Sequence, residues 1–329
     1  MSVVVPVYKV EPYIDKCLSS LVLEDASVME SLEVILVNDG TPDNSAEKSR
    51  VFVNRYPGTF RQIDKENGGH GSAWNVGLRE AKGKYLRFLD SDDWFSNLDR
   101  LMADLEKRDE DVIFNPYVKQ LIYEERTIEV GLPVSSGVSV SIDPGKWGMA
   151  FDGYLSVNFW SSTYKTSILK PLLPLFAEKT MYDDFILTWA PLVHGRRCYG
   201  LDYPVYNYLI GRPGQSMNLT HRRKGAESYK KCFEHYESVR SRIPEDSVPV
   251  GFLKGIDAAI TGYASFVFSY IPFLPFRMAR SYMRYLWEDY LKEYPGKSKL
   301  AVRYGKMPFF LFFIVERARV LKNRICKSC

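Results

Sequence analysis

The chain has 329 residues, enough for one large domain with an appendage or for two domains. A hydrophobic share of 46% with 26% charged residues excludes a disordered or low-complexity chain. The net charge of +4 is uneven: residues 271–329 hold 13 Lys/Arg against 4 Asp/Glu, a surplus of 9, which leaves the remainder near −5. Such a split suggests that body and tail meet different partners.

Residues 1–94 alternate strands and helices. Ser2–Val7 is an apolar, β-branched run that predicts a strand. Residues 12–23 carry Ile14, Leu18, Leu21 and Val22 at helical spacing. Residues 32–37 predict a second buried strand, ending in Asn38-Asp39-Gly40, with Thr41 placed to cap a helix that opens near Pro42. Residues 59–63 predict a third strand, 72–81 a helix and 84–89 a fourth strand. This alternation indicates βαβ units and a mostly parallel sheet, whose ligands bind at the carboxyl ends of the strands. Beyond it, residues 111–123 read as strands and 131–143 as a hairpin or loop. Residues 182–192 read as a helix opening with acids, and 197–208 as one or two edge strands. Helical patterns follow at 226–242, 252–270 and 276–294.

Four predicted strand ends carry chemistry. Val5-Pro6-Val7-Tyr8 leads to Glu11; Pro6 stops the ladder, and Tyr8 offers a ring to a flat base or is a plain surface residue. Asp39 suits a pyrimidine N–H or a ribose hydroxyl, while Asp-Gly is also common turn chemistry. Glu66-Asn67-Gly68-Gly69-His70-Gly71-Ser72 is a Gly-rich loop feeding a helix, without the Lys-Ser/Thr of a P-loop or the GxGxxG order; His70 either orients a substrate or is structural. Asp90-Ser91-Asp92-Asp93 sets three carboxylates in four residues after an apolar run. Mg²⁺ and Mn²⁺ prefer such oxygens. In an extended segment Asp90 and Asp92 point the same way, one to a ribose and one to a metal. The competing reading is a helix start capped by Ser91, Asp92 and Asp93.

In this order and spacing the four segments resemble the N-terminal half of nucleotide-sugar glycosyltransferases of family 2 with the GT-A fold, closely over residues 1–95 and more weakly to about 215. The resemblance implies an α/β, Rossmann-like fold with a mostly parallel sheet flanked by helices. The catalytic domain would be 1–220, with a nucleotide-sugar half at 1–95 and an acceptor half at 96–220; a basic, aromatic-rich helical extension would fill 221–329. It implies that Pro6, Tyr8 and Glu11 border the nucleoside and that Asp39 hydrogen-bonds the base. Asn67, Gly68 and Asn75 would belong to the donor site, with Asp90 and Ser91 near the ribose or sugar. Asp92 would ligate Mn²⁺ or Mg²⁺ on the diphosphate. Where the family often has Ala-Arg-Asn, this chain has Ala73-Trp74-Asn75. A later acidic pair falls at Tyr182-Asp183-Asp184-Phe185, with Asp for the usual Glu, and Asp184 would be the catalytic base. Arg212 or His221 would meet the diphosphate.

The implied activity is inverting, metal-dependent transfer of a sugar from a nucleotide donor to a hydroxyl of a saccharide or lipid-linked saccharide, in surface polysaccharide assembly. UDP is the expected nucleotide, since Asp39 suits uracil. Two rivals stand beside it. A nucleotidyltransferase shares the sheet and the acids, but the place after the first strand, Pro6-Val7-Tyr8-Lys9-Val10-Glu11, lacks its Gly-rich loop. A non-catalytic sugar-nucleotide-binding scaffold would turn Asp184 away from the sugar.

In the tail, Arg277, Arg280 and Arg284 recur at helical spacing after Ile271-Pro272-Phe273-Leu274-Pro275-Phe276. Residues 307–315 contain Phe309, Phe310, Phe312 and Phe313, followed by Arg317, Arg319, Lys322, Arg324 and Lys327. That run is far short of the roughly 20 residues that span a bilayer. A basic helix with bulky apolar residues suits an anionic membrane surface, so 271–329 is expected to meet one. A Phe face packed on the catalytic domain explains the same residues. No nucleic acid is expected, because acidic strand ends repel a phosphate backbone. Met1-Ser2-Val3-Val4-Val5-Pro6 shows no basic leader, and Cys17, Cys198, Cys232, Cys326 and Cys329 lack a zinc pattern. The expectation is a cytoplasmic protein with reduced thiols, peripheral on the inner face of the membrane.

Overall fold

The computed structural model describes residues 1–148, 155–212, 222–292 and 304–325. Strands β1 (Ser2–Val7) and β2 (Glu33–Asn38) are near-continuous Val/Ile/Leu runs, the pattern of strands covered on both faces. Each fully buried Val, Ile or Leu among them contributes about 1.5–3 kcal/mol. With β3 (Phe60–Asp64) and β4 (Tyr85–Phe88) they form a parallel set in the order β3-β2-β1-β4. Helices α1 (Ile14–Ser19), α2 (Ala26–Glu30), α3 (Ser45–Arg55) and α4 (His70–Glu80) fill the crossovers. Val7 pairs with Asn38 and Asn38 with Asp64, so the carboxyl ends of three strands finish level.

The chain continues through β5 (Trp94–Phe95), α5 (Leu98–Glu106), β6 (Val112–Phe114), β7 (Tyr117–Leu121), β8 (Arg126–Val130) and β9 (Ser139–Ser141). A two-strand pair, β10 (Trp147–Gly148) with β11 (Leu155–Ser156), precedes β12 (Ser162–Lys165) and α6 (Thr166–Leu169). Then come α7 (Pro191–His194), β13 (Arg197–Gly200) and β14 (Tyr206–Ile210). Beyond β4 the main sheet runs β12-β6-β13-β9, with β12 antiparallel to both its neighbours. A second sheet runs β5-β14-β7-β8.

The structure corrects five local expectations. Thr41 does not cap α3: the N-cap position is Asn44, the Asp43 carboxylate accepts from Ser45 N at 3.2 Å, and Thr41 Oγ1 accepts from Lys9 N at 2.8 Å. Asp90–Asp93 is a tight turn rather than an extended segment, closed by Asp93 N on Asp90 O at 3.0 Å. Nor do Ser91–Asp93 cap a helix, because β5 follows and α5 starts only at Leu98. Residues 182–192 break into a 3₁₀ turn at Asp183–Thr188 and the short α7, since Pro191 has no N–H to continue a helix. Finally, β13 and β14 are interior strands, each paired on both sides.

Four longer helices complete the chain: α8 (Arg222–Ser241), α9 (Val250–Tyr270), α10 (Phe276–Leu286) and α11 (Phe309–Ile325). The first of them, α8, and the residue just after it pack on the segment that leads into Asp183. Arg242 donates to the carbonyls of Leu172, Leu173 and Pro174. The Tyr229 ring stacks on Tyr182 at 4.5 Å, and Tyr236 Oη donates to Asp183 O at 3.1 Å. One buried apolar cluster runs from Val3 to Phe313. The expected boundary at 220/221, His221 and the Cys326/Cys329 pair lie outside the described residues. No helix among the described residues is long and apolar enough to cross a membrane.

Candidate active site

A cavity of about 510 Å³ lies over the carboxyl ends of β1, β2 and β4. Of the residues expected at a site, it brings together Pro6, Tyr8, Asp39, Asn67, Asp90, Ser91, Asp92 and Asp184. His70, Asp183 and Arg212 join them. A smaller hollow of about 390 Å³, around Met1, Glu33 and Arg61, lies at the opposite strand ends. There Glu33 is paired with Arg61 at 3.1 Å.

Asp39 is buried at the tip of β2 and is an anchor for the Gly-rich loop. Its carboxylate accepts from Gly68 N at 2.9 Å, Gly69 N at 2.8 Å and Lys65 Nζ at 2.6 Å. The loop therefore aims two amides at a protein carboxylate. Its glycines also admit a neighbour. A Cβ on Gly71 would come within 2.1 Å of Ala177 O, and Gly69 sits at φ +87° with Lys179 N 3.1 Å from where a Cβ would be. Lys179 N donates to Gly68 O at 2.7 Å. The loop is thus the seat on which the segment before Asp183 docks.

The acidic turn gathers charge. Oxygens of Asp90, Asp92 and Asp93 lie within 4.8 Å of one another. Burial, then the charges of its neighbours, holds Asp93 well above the usual carboxylate range. Asp92 is raised as well, by burial and then by Asp90, against the pull of Arg212, which donates to it. An all-oxygen set under mutual repulsion fits a hard divalent cation. Asp93 already accepts on both carboxylate oxygens, from Tyr206 Oη at 2.6 Å and Leu209 N at 2.8 Å, whereas Asp90 and Asp92 each meet one side chain, His70 and Arg212.

His70, on the first turn of α4, links this turn to the second acidic pair. Its Nε2 is 3.0 Å from Asp90 Oδ1, and its Nδ1 is 3.1 Å from Asp183 Oδ1. Burial opposes charge on the ring, but Asp183 and Asp90 outweigh it and hold the imidazole well above its ordinary value. Asp184 is half-buried and lines the cavity. Burial, then the charge of Asp183, pushes its carboxyl up to about 7. Tyr182, at φ +68°, turns the backbone so that both acids follow it into the site.

Three expected residues lie elsewhere. Glu11 turns to α3, accepting from Asn44 Nδ2 at 3.0 Å. Gly68 is spent within the fold, its N–H on Asp39 and its carbonyl on Lys179 N, and does not line the cavity. Asn75 is buried and clamps the backbone, accepting from Leu175 N and Phe176 N and donating to Phe176 O, each at 2.9 Å. Trp74 fills the core beside His70, Phe88, Phe159 and Phe176, so a Trp here serves packing. Unforeseen residues form one wall: the rings of Trp160 and Tyr208 stack at 4.5 Å, with Phe159 beside Trp160 at 5.0 Å. Beneath them the fully buried Arg87 donates to Trp160 O, Asn115 Oδ1 and Thr163 Oγ1.

Residues 2–128 match the sequence model of Glycosyl transferase family 2. The chain is similar to the uncharacterized glycosyltransferase EpsJ of Bacillus subtilis (strain 168), 39% identical over 122 residues, or 36% of this chain and 34% of EpsJ. The poly(ribitol-phosphate) beta-N-acetylglucosaminyltransferase TarS of Staphylococcus aureus (strain Mu50 / ATCC 700699) is 27% identical over 227 residues, covering 66% of this chain and 36% of TarS. The chain therefore spans about a third of the length of these two relatives. Among solved structures, S. aureus TarS 1-349 in complex with UDP-GlcNAc superposes with a TM-score of 0.57 at 19% identity, over 86% of this chain and 87% of that one. Mannosyltransferase PcManGT from Pyrobaculum calidifontis, with GDP-Man and Mn2+, gives 0.50 at 17% identity, over 97% and 86%. At those identities the family 2 likeness in three dimensions is one of fold, the GT-A type.

Proposed function

We propose that this chain is an inverting, metal-dependent glycosyltransferase. It would move a sugar from a UDP-linked donor to a hydroxyl of a saccharide or lipid-linked saccharide, in the assembly of a surface polysaccharide. The observation that carries this reading is the meeting of two acidic pairs in one cavity: His70 lies 3.0 Å from Asp90 and 3.1 Å from Asp183. Glycosyl transfer needs both ends of that arrangement. The departing diphosphate needs a cation, and the attacking hydroxyl needs a base.

Asp90 and Asp92 would hold Mn²⁺ or Mg²⁺, which when bound neutralises charge on the diphosphate. Arg212, paired with Asp92, adds a fixed positive charge beside the same oxygens. Asp184, pushed up to about 7, is tuned to accept a proton near neutral pH. It would take the acceptor proton as the oxygen attacks from the side opposite the leaving group, giving a β-linkage from an α-linked donor. Trp160 and Tyr208 offer aromatic faces to the C–H face of a sugar ring. Asp39 keeps lone pairs beyond its three anchoring bonds, enough to accept an N–H of uracil.

The neighbours' ligands, UDP-GlcNAc in one and GDP-Man with Mn2+ in the other, support a nucleotide-sugar donor for this fold. GgaB of B. subtilis, a minor teichoic acid biosynthesis protein 39% identical over 95 residues, supports a surface-polymer product. The deciding experiment is a thermal-shift screen of UDP-, GDP-, CDP- and dTDP-sugars with Mn²⁺, followed by turnover of the stabilising donor. Preferential stabilisation by UDP-sugars is expected. A preference for GDP-sugars would remove the UDP assignment, and no response to any sugar nucleotide would remove the enzyme.

A further inference from the structure

The C-terminal helix α11 is built the wrong way round for a helix that only covers a core. Its inner face is complete: Phe312, Phe313 and Glu316 are buried, and Phe313 packs against Phe276 at the start of α10 at 5.1 Å. Arg317 fixes it there, donating to Pro272 O at 2.7 Å and Leu274 O at 2.8 Å. Its outer face over the same two turns is also apolar. Phe310 is 60% exposed, Leu311 53%, Ile314 47% and Val315 39%. Residues at these spacings share one side of a helix. Phe276 and Met278, also exposed, extend the patch onto the first turn of α10, with the Phe276 ring 6.3 Å from Phe310. A contiguous apolar patch rimmed by charge marks an interaction surface.

The rim is mainly basic, with the exposed acids Glu288 and Asp289 lying beyond the end of α10 and Glu288 paired with Lys292 at 3.2 Å. Arg277, Arg280 and Arg284 are exposed on α10, and Arg280 and Arg284 follow Phe276 at intervals of four along one stripe. Lys306 is exposed just before α11. Among the described residues 276–286 and 304–318 the one acid, Glu316, is buried. No described helix is long and apolar enough to cross a bilayer. We propose that the outer face of α11, with the first turn of α10, docks on an anionic lipid surface: Phe310, Leu311, Ile314 and Val315 enter the acyl boundary while the three arginines meet lipid phosphates. A second copy of the chain is a poorer occupant. Placing this face on itself by a twofold axis would oppose the two arginine stripes.

The test is co-sedimentation of the full chain with phosphatidylcholine vesicles, with and without phosphatidylglycerol, at low and high salt. Binding to the phosphatidylglycerol vesicles is expected at least about tenfold above phosphatidylcholine alone, falling with salt. Leu311→Ser with Ile314→Ser should weaken it about tenfold or more. Arg277→Gln, Arg280→Gln and Arg284→Gln together should weaken it about a hundredfold, at roughly one decade or less per arginine. All five positions are exposed, so the melting temperature should hold, and it is measured alongside. Equal binding to both vesicle types, or none, overturns the proposal. So does self-association in sedimentation velocity that the Leu311/Ile314 pair abolishes, which would make this face a contact between copies. The proposal does not rest on the donor reaction: a chain that turns over no sugar nucleotide yet binds anionic vesicles refutes the enzyme and leaves the surface standing.

Discussion

The imidazole of His70 lies 3.1 Å from the carboxylate of Asp183, a pair drawn from the first turn of α4 and the 3₁₀ turn that follows Tyr182. Through its other nitrogen the ring also reaches Asp90. Its positive charge lowers the proton affinity of Asp184, against burial and Asp183, which raise it. His70→Asn should therefore move the acidic limb of the pH–rate profile upward and reduce turnover by roughly tenfold to a hundredfold. An unshifted limb would show that His70 has no electrostatic hold on Asp184.

Asp184 has its own pH signature. With its carboxyl pushed up to about 7, activity should rise with pH through that region as the base ionises. Asp184→Asn should remove roughly 10²–10⁴-fold of the transfer rate while UDP binding persists.

The same carboxyl affects stability. Its folded value lies above the ordinary 3.8, so the folded state holds the proton more tightly. That contribution is full below about 4 and is lost as pH rises to about 7. At pH above 7 Asp184→Asn should melt higher than the parent, and the gap should close as pH falls toward 4. Melting curves at several pH values check this, and a gap of the opposite sign would reject the burial argument.

Asp92→Ala should abolish divalent-cation-dependent donor turnover and the Mn²⁺-induced rise in melting temperature. Retained Mn²⁺ stabilisation would move the cation elsewhere.

Arg87→Met should destabilise the fold by about 2–4 kcal/mol, measured by denaturant unfolding, because Trp160 O, Asn115 Oδ1 and Thr163 Oγ1 lose a buried donor. Acceptor KM should rise with it, since Trp160 is held from this point.

The strand-end residues were legible because fully buried parallel strands announce themselves as unbroken apolar runs, and the residues at the carboxyl end of each run must sit at the rim. Asp39, Asp90 and Asp92, read at strand ends, line the cavity. The place of Asn75 is one that no local pattern reveals: its amide serves the backbone of Leu175 and Phe176, far along the chain. Lys65 carries no motif at all, and its pairing with Asp39 exists only once β2 and β3 lie side by side. Trp160 and Tyr208 become a wall only when a residue before β12 meets the second sheet. The break at Pro191 was readable, since a proline inside a proposed helix is a stop signal.

The hydrogen bond from Tyr236 to the carbonyl of Asp183, with the stack of Tyr229 on Tyr182, limits how this protein can be engineered. The region after 222 is not a detachable module. A chimera that keeps the N-terminal sheet and borrows these helices from a relative would also reset the backbone that presents the acids. Grafts that aim to change where the protein docks should therefore keep α8 and α9 and exchange only the segment C-terminal to Tyr270.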